Sequence, residues 1–348
     1  MRHSLLITLF ALLTAMAGHA QDPHFSQFYN AALQVNPALT GVFNGQFRVA
    51  ANYRNQWSSI LGGDAFRTIA AGADMRYKVF QDDYFTFGFA ALQDQAGAGQ
   101  LRQARGGLNL GFMKQLAGGK YRTNDQYLSF GLQGGFGQYS LDYGNFWFSN
   151  QYNSGTEAVD PTLPSNELIG QSSNLFLDIS AGLLYYALFD EDASVYAGGM
   201  IAHANRPNIS FVEGSDETLY SKFVIHAGGQ VPFNDNFSML PGAFLALQGP
   251  SQETVFGANL RYTNHDWYEV AVRAGMWARL ANKLDSGVNL DALIYSFILE
   301  VERWNLGVSY DVNHSSLRKA SLSRGGVEVS LIYIHPYQSR YRVNCPEF

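Results

Sequence analysis

Apolar and polar side chains alternate with a period of two along most of the chain. The alternation is clearest in four stretches, 127–137, 174–185, 303–313 and 326–333. In the first of them, Leu128, Phe130 and Leu132 occupy one face, whereas Gly, Ser and Gln occupy the other. Such alternation predicts β-strands that present one apolar and one polar face.

We expect fourteen strands. They span about 46–57, 65–78, 84–93, 103–115, 127–141, 173–188, 193–203, 220–231, 237–248, 253–263, 267–279, 287–300, 302–313 and 325–334. Most are longer than the usual strand of about 5–6 residues and suit a tilted strand of about 9–11 residues that crosses a membrane. The polar faces carry few charges, which favours a lumen over a solvated exterior.

The pattern therefore predicts an all-β fold, a transmembrane antiparallel outer-membrane β-barrel. Closure is required because an unpaired backbone N–H in lipid costs several kcal/mol. An even strand number places the start of the first strand and the end of the last strand at one end, which we expect to be periplasmic. The longest connections, 142–172 and 204–219, then face outward.

The amino-acid composition agrees with a membrane β-barrel and limits the kinds of partner that we expect. Charged residues make up 15% of the 348 residues and aromatic residues 14%, with a net charge of −6. No block of Lys or Arg stands out, so nucleic acid is not an expected partner. The single cysteine, Cys345, excludes an internal disulfide and a Cys-rich metal site.

Residues 1–20 have the features of a secretory signal peptide. Arg2 precedes the apolar run 5–16, and Gly18 and Ala20 place small residues at the expected cleavage site. We therefore divide the chain into a signal peptide (1–20), an N-terminal segment (21–45), a barrel (46–334) and a C-terminal periplasmic tail (335–348).

Short motifs at both ends of the mature chain resemble the PorP/SprF family of outer-membrane proteins of the type IX secretion system. The residues that carry the resemblance are Asp22, Pro23, Phe25, Ser26 and Gln27, then Asn36, Pro37, Thr40 and Gly41, then Tyr53, Arg54, Gln56 and Trp57, and finally Cys345, Pro346 and Phe348. The middle of the chain agrees in length and spacing but carries no sharp motif.

The resemblance implies a function that spacing alone does not reach. Family members are non-enzymatic barrels in the outer membrane that help to export or anchor particular surface proteins, including large adhesins used in gliding. The implied partners are the outer-membrane lipids, a secreted protein with a C-terminal sorting domain and a periplasmic peptidoglycan-binding lipoprotein.

The segment 21–45 precedes the first strand and contains the turn signals Asn36-Pro37 and Thr40-Gly41. Phe25, Phe28 and Tyr29 recur at roughly helical spacing. Three placements remain open at this point: a plug in the lumen, packing at the periplasmic rim, or an ordered leader to the first strand. We also expect this segment and the C-terminal tail to offer contacts on the periplasmic side.

The loop 142–172 is the candidate docking surface on the outside. Phe146, Trp147, Phe148 and Tyr152 are apolar anchors in a polar surrounding, as partner sites require. The first alternative function is a passive or substrate-specific porin or transporter.

The second alternative is a barrel enzyme that uses His314 and Ser315, but a solvated loop explains these residues better. Other signals for chemistry are weak. The histidines lack metal-ligand spacing, and the acidic run 213–217 lacks the spacing of an EF-hand. Glycines 131, 134, 135 and 137 lie in a predicted strand with no Lys-Ser/Thr after them, so barrel curvature and close packing explain them better than a phosphate loop. We expect no cofactor and no metal.

Overall fold

A closed antiparallel β-barrel of fourteen strands forms the body of the protein. The computed structural model describes residues 22–80, 82–118, 124–160, 162–164, 170, 172–190, 193–264, 270–282, 287–315 and 318–336. The barrel strands are β1 (Phe47–Gln56), β2 (Phe66–Lys78), β3 (Tyr84–Ala96), β4 (Leu101–Ala117), β5 (Asp125–Ser140), β6 (Phe176–Asp190), β7 (Ala193–Ala202), β8 (Lys222–Pro232), β9 (Phe237–Gln248), β10 (Ser251–Thr263), β11 (Val270–Asn282), β12 (Val288–Val301), β13 (Trp304–Asn313) and β14 (Arg324–His335). The predicted strand number is confirmed, and the predicted bounds differ by a few residues.

Each strand pairs with its neighbours in sequence, and β1 pairs with β14 to close the ring. This closing seam runs without interruption from Phe47 opposite His335 to Gln56 opposite Gly326. The closed ring leaves no sheet edge, so the ladder itself satisfies the backbone polar groups that lipid could not. Among the residues that the structure describes, no helix has the length and apolar character needed to cross a membrane.

Side chains alternate between the two faces of the wall as the sequence predicts. Phe85, Phe87 and Phe89 of β3 point outward and are between 40% and 47% exposed, whereas the alternate residues Tyr84 and Thr86 are buried. The inward face is polar in part, but it also carries large apolar residues that the alternation did not reveal. They include Met113, Tyr127, Leu184, Tyr186, Tyr196, Val224, Phe244, Trp277, Ile294 and Ile298.

The two ends of the barrel differ. At the terminal end, where β1 begins and β14 ends, the connections are short. At the opposite end, here called the loop end, the connection 141–175 contains two 3₁₀ turns (Tyr143–Asn145 and Ser149–Gln151) and a ladder between Tyr152–Asn153 and Ala158–Val159. The other elements at this end are Ser58–Leu61, Gly62–Asp64 and Arg318–Ser321. The connections 97–100 and 249–250 are also at the loop end but are short, so loop length separates the ends only in part.

Residues 22–43 fill the lumen and are hereafter called the plug. The plug contains a 3₁₀ turn (Phe28–Asn30), helix α1 (Ala32–Val35) and a second 3₁₀ turn (Pro37–Leu39). Its chain starts near the loop end, where the amide of Asp22 donates to Gln248, and it ends near the start of β1. This placement decides among the three open alternatives. It also corrects the expectation that the segment faces the periplasm, because nearly all plug residues are buried.

Aromatic side chains of the plug pack against the apolar part of the lumen wall. Phe28 stacks on Phe244 at a centroid distance of 5.4 Å and meets Trp277 edge-on at 5.3 Å. Tyr29 stacks on the same Trp277 at 5.0 Å. Burial of one such side chain stabilises a fold by about 1.5–3 kcal/mol, so the plug is an integral part of the packed interior.

Glycines in the wall give the plug backbone room to approach. A Cβ at Gly131 of β5 would overlap the backbone of Pro37 and Ala38, and one at Gly182 of β6 would overlap the side chain of Asn36. The interpretation of Gly131 as a close-packing position is therefore correct, and the plug is what packs there. Gly134 is different, because a Cβ there would meet nothing within 4 Å.

Replacement of Gly131 by Leu should expel the plug, because the new side chain occupies the place of Pro37 and Ala38. We expect chymotrypsin, which cleaves after the aromatic residues of the plug, to cut residues 22–43 of purified G131L much faster than in the wild type. Gly134→Leu is the matched control, since its side chain is free of close neighbours, and should leave the plug protected. Equal protection in G131L and the wild type would contradict the packing described here.

Candidate functional site

Ser26 lies at the centre of a buried charged cluster inside the barrel. Its amide donates to Glu328 Oε2 at 2.7 Å, and its hydroxyl lies 2.8 Å from Asp311 Oδ1. Arg279 donates to the hydroxyl oxygen at 3.0 Å, and Arg54 also donates to it. A serine hydroxyl has one hydrogen to give and two lone pairs to receive, so these partners use its full capacity.

The charges of this cluster compensate one another. Arg54 pairs with Asp311 at 2.9 Å and with Glu328 at 3.3 Å. Arg279 pairs with Asp311 at 2.7 Å and with Asp291 at 2.9 Å. A buried charge without its partner is strongly unfavourable. Each arginine therefore offsets the free-energy cost of burying the carboxylates that face it.

Gln27 and Asn30 extend the contact to the last two strands. The Gln27 amide donates from Nε2 to Ser309 Oγ at 3.1 Å and to the main-chain oxygen of Glu328 at 3.2 Å. Its Oε1 accepts from Ser330 Oγ at 2.8 Å and from Asn30 Nδ2 at 2.9 Å. All four hydrogen-bonding positions of this buried amide are therefore used.

Asn36 fixes the middle of the plug to the opposite wall. Its Nδ2 donates to the main-chain oxygens of Leu183 and Gly199 at 3.2 Å each and lies 3.0 Å from His226 Nε2. Its Oδ1 accepts from the amide of Ala38 at 2.9 Å and so caps the turn that begins at Pro37. An Asn before Pro is suited to this geometry, because the side chain reaches the amide two residues on.

Gly41, near the end of the plug, adopts the left-handed backbone region with φ of +76°. Its amide donates to Asp74 at 2.7 Å and its carbonyl accepts from Arg76 at 3.0 Å. Arg48 binds the same Asp74 carboxylate through two nitrogens, at 2.9 and 2.8 Å. Thr40 caps the preceding turn by donating to the carbonyl of Pro37 at 2.7 Å.

Asp22 occupies a cationic pocket at the loop end. Its carboxylate lies 2.8 Å from His203 Nε2, 3.1 Å from Arg105 and 3.8 Å from Lys222. Burial opposes ionisation of Asp22, but the three cations outweigh it and hold its pKa well below the usual value. Burial also disfavours the charged form of His203, yet Asp22 and Asp178 outweigh it and raise the pKa of that ring. A cavity of about 60 Å³ adjoins the pocket.

The remaining motif residues have more local roles. Pro23 lines the cavity at the loop end, and Phe25 packs in a small apolar cluster with Ala70 and Leu92. Tyr53 points outward and is 40% exposed. The Gln56 side chain accepts from Arg54 at 3.2 Å, and Trp57 follows β1 and packs on Phe66. The tail residues Cys345, Pro346 and Phe348 lie outside the described residues.

The four loop aromatics lie at the loop end, away from the plug contacts. Phe146, Trp147 and Tyr152 are 42%, 61% and 48% exposed, and Phe148 is half-buried. Phe146 folds back toward Gly99 and lies 6.3 Å from Tyr143 between ring centroids. They offer apolar area to a partner but do not converge with the motif residues.

The His314–Ser315 pair does not form a catalytic arrangement. Both main-chain amides bond to the carbonyl of Asp291, at 2.7 and 3.2 Å. The Ser315 hydroxyl has no hydrogen-bond partner in the part of the chain that the structure describes, so no base activates it there. A serine nucleophile needs such a base within reach.

Several residues that hold the plug were not singled out in the sequence. They are Arg48, Asp74, Arg105, His203, Lys222, Arg279, Asp311 and Glu328. One signal was present, since most of them are charged residues on or next to strand faces that otherwise carry Gly, Ser and Asn. Their contacts could not be predicted, because strand alternation does not say which inward residues meet the plug, and between 9 and 302 positions of sequence separate the contacting pairs.

Replacement of Arg54 by Ala should destabilise the barrel by about 3–5 kcal/mol, because Asp311 and Glu328 lose a buried partner. The measurement is the free energy of unfolding in urea for the protein in detergent micelles. Tyr53→Leu is the matched control from the adjacent outward position and should change stability by about 0.5 kcal/mol or less. Similar losses in both variants would argue against a charged cluster that holds the plug.

The His203 contact should make stability depend on pH. Since the folded state raises the pKa of His203, its stabilisation is present below the unfolded value of about 6.5 and is lost as pH rises through the folded value. His203→Gln should therefore cost more stability at pH 6 than at pH 9, as measured by urea unfolding at both pH values. A pH-independent difference between wild type and H203Q would contradict this assignment.

Comparison with known proteins gives a family and some distant structural likenesses. The toluene transporter TodX of Pseudomonas putida aligns with a TM-score of 0.46 and 12% identity, over 90% of this chain and 98% of that chain. TbuX of Ralstonia pickettii, also a toluene transporter, gives 0.45 and 13%, over 87% and 92%. The monoaromatic hydrocarbon channel CymD gives 0.47 and 11%, over 90% and 94%. Likeness at this level carries no information on ligands.

No curated protein sequence matches the chain. The family described as type IX secretion system membrane protein PorP/SprF matches residues 17–333, nearly the whole chain. The resemblance carried by the terminal motifs is thereby confirmed along the barrel. The protein belongs to the PorP/SprF family of type IX secretion system membrane proteins.

Proposed function

We propose that this protein is an outer-membrane component of the type IX secretion system that helps to export or anchor one adhesin-like surface protein, of the kind used in gliding. In this proposal, the signal peptide 1–20 directs export and is removed. The barrel then holds a secreted cargo with a C-terminal sorting domain on one side and contacts a peptidoglycan-binding lipoprotein on the other. It has no catalytic role.

The observation that carries this proposal is the filled lumen. The plug occupies the interior from the loop end to the start of β1. Its contacts with the wall are made by Ser26, Gln27, Asn36 and Gly41 of the plug, and Arg54 of β1 is among their partners. Most of the residues by which the chain resembles its family thus serve to close the barrel. A closed barrel in a secretion system works through its two ends, as an anchor or docking partner.

The two ends suit two sets of partners. The loop end carries the longest connections, 141–175 and 203–221, as the outer face of such barrels does. The short connections and the end of β14 then face the periplasm. In this proposal the tail 335–348, which carries Cys345, Pro346 and Phe348, contacts the periplasmic machinery.

The cargo surface is proposed at the loop end around Phe146, Trp147, Phe148 and Tyr152. Exposed aromatic side chains supply large contact areas at protein interfaces and are frequent among the residues that dominate binding. Three of the four are more than 40% exposed in the absence of a partner.

A substrate-specific channel is the second candidate, because a cavity adjoins Asp22 at the loop end. The cavity measures about 60 Å³, however, and pockets for small-molecule ligands measure roughly 300–1,000 Å³. Transport would require the plug to move. A passive porin is not favoured, since the plug occupies the lumen.

The direct test of the function is a mild-detergent pull-down of the tagged protein from its native outer membrane, with partners identified by mass spectrometry. We expect a large exported protein with a C-terminal sorting domain, or a peptidoglycan-binding lipoprotein. Recovery of the barrel alone, under conditions that preserve other envelope complexes, would contradict the proposal. Conductance and solute uptake of the purified barrel would then test the channel.

The docking surface has its own test. Replacement of Phe146, Trp147, Phe148 and Tyr152 by Ser should lower cargo retention at the cell surface at least tenfold while the barrel stays folded, because it removes the aromatic anchors of the interface. The matched control replaces four other exposed apolar residues at the loop end, Ile60, Leu61, Val212 and Leu322. Retained cargo in the aromatic variant, or equal loss in both variants, would exclude this surface.

A further inference from the structure

Most polar contacts of Ser26, Gln27 and Asn30 lie around the closing seam of the barrel. Ser26 and Gln27 bind Glu328 through their main-chain amides at 2.7 and 2.9 Å. Gln27 and Asn30 add hydrogen bonds to Ser330, also on β14. On the other side of the seam, Arg54 of β1 donates to Ser26 and pairs with Glu328. These plug residues therefore contact both strands that must meet for the ring to close.

The same contacts distinguish the correct register of the seam from its neighbours. In the closed barrel Arg54 stands opposite Glu328 and Asn52 opposite Ser330. A slip by one residue would turn Glu328 and Ser330 toward the lipid. A slip by two would move them by roughly 7 Å along the strand, which is beyond hydrogen-bond reach of Gln27.

Residues 31–46 join the part of the plug that binds the seam to β1, a tether of 16 residues. The Ser26–Glu328 contact, by contrast, spans 302 positions of sequence. Once residues 26–30 bind β13 and β14, the meeting of β1 and β14 no longer requires a random encounter of two distant strands. Tethering of this kind raises the effective concentration of the second contact and offsets the entropy cost of closing a long loop.

We propose that the plug acts as an intrachain clasp, which binds β13 and β14 through Ser26 and Gln27, brings β1 to β14 and selects the register in which the barrel closes. This role concerns how the barrel forms, and it holds whichever partner the finished barrel binds. The plug is then needed before closure as well as after it.

The other half of the plug provides a matched comparison. Asn36 makes a set of bonds similar to that of Gln27, but its wall partners are Leu183, Gly199 and His226, far from the seam. Loss of the Asn36 contacts should weaken the finished barrel without affecting the joining of its ends. The two substitutions Gln27→Ala and Asn36→Ala therefore separate a clasp from a mere stabiliser.

The experiment is refolding of the urea-unfolded mature chain into detergent micelles, with closure followed by the mobility shift of unheated samples in SDS gels. We expect Q27A to close at least fivefold more slowly than wild type, because its lost contacts form before the rate-limiting step. N36A should close at the wild-type rate and unfold faster. If both variants fail to fold, Asn30→Ala and Gln34→Ala form a milder pair, because the Gln34 side chain donates to the Ala91 carbonyl on β3, at 3.3 Å, and not to the seam residues that the structure describes.

The register is read by disulfide trapping in a Cys345→Ala background. Tyr53→Cys with Val329→Cys reports the native register, in which these positions face each other, and Tyr53→Cys with Leu331→Cys reports a slip by two. In the clasp mechanism, Q27A increases the slipped product and N36A does not. Closure of Q27A at the wild-type rate with native register, or equal slowing by N36A, would overturn the proposal.

Discussion

The antiparallel pairing of β1 with β14 is the contact on which the rest of the structure depends. In lipid, a sheet with a free edge would leave a row of backbone groups unpaired, so the chain must form a ring. Barrels of about eight strands are filled by their own inward side chains. A ring of fourteen is wider and leaves a lumen that something must occupy. Here residues 22–43 occupy it. They directly precede β1 in sequence, and they finish at the terminal end of the barrel, where β1 begins.

Filling the lumen with a backbone segment imposes two demands on the wall. Where the plug passes close, the wall needs glycine, as at Gly131 and Gly182. Where the plug presents amides and hydroxyls, the wall needs charged or polar partners, as at Asp74, Asp311 and Glu328. These charges are tolerable only because arginines on neighbouring strands compensate them. The wall and the plug are therefore parts of one packed interior.

The fold could be predicted from sequence because its signal is local. Alternation over a dozen residues identifies a membrane strand, and the strand count follows from the turns between them. The site could not be predicted, since alternation tells which residues point inward but not what they touch. Ser26 and Glu328 lie 302 positions apart. Some inward apolar residues could have been recognised from the sequence. Residues 183–189 are apolar on both faces, which is typical of a strand buried on both sides.

The filled lumen connects the structure to the proposed role in secretion, since a sealed barrel presents its ends to partners. Whether the plug occupies the lumen in the native membrane is tested most directly by a disulfide between Asn36→Cys and Gly182→Cys in a Cys345→Ala background. A Cβ at Gly182 would lie 2.9 Å from Asn36 Cγ, which brings the two substituted side chains close enough for a disulfide. We predict rapid cross-linking in intact cells, with no cross-link for Asn36→Cys paired with Gly134→Cys. Failure of the first pair to form a bond in the folded protein would contradict the account.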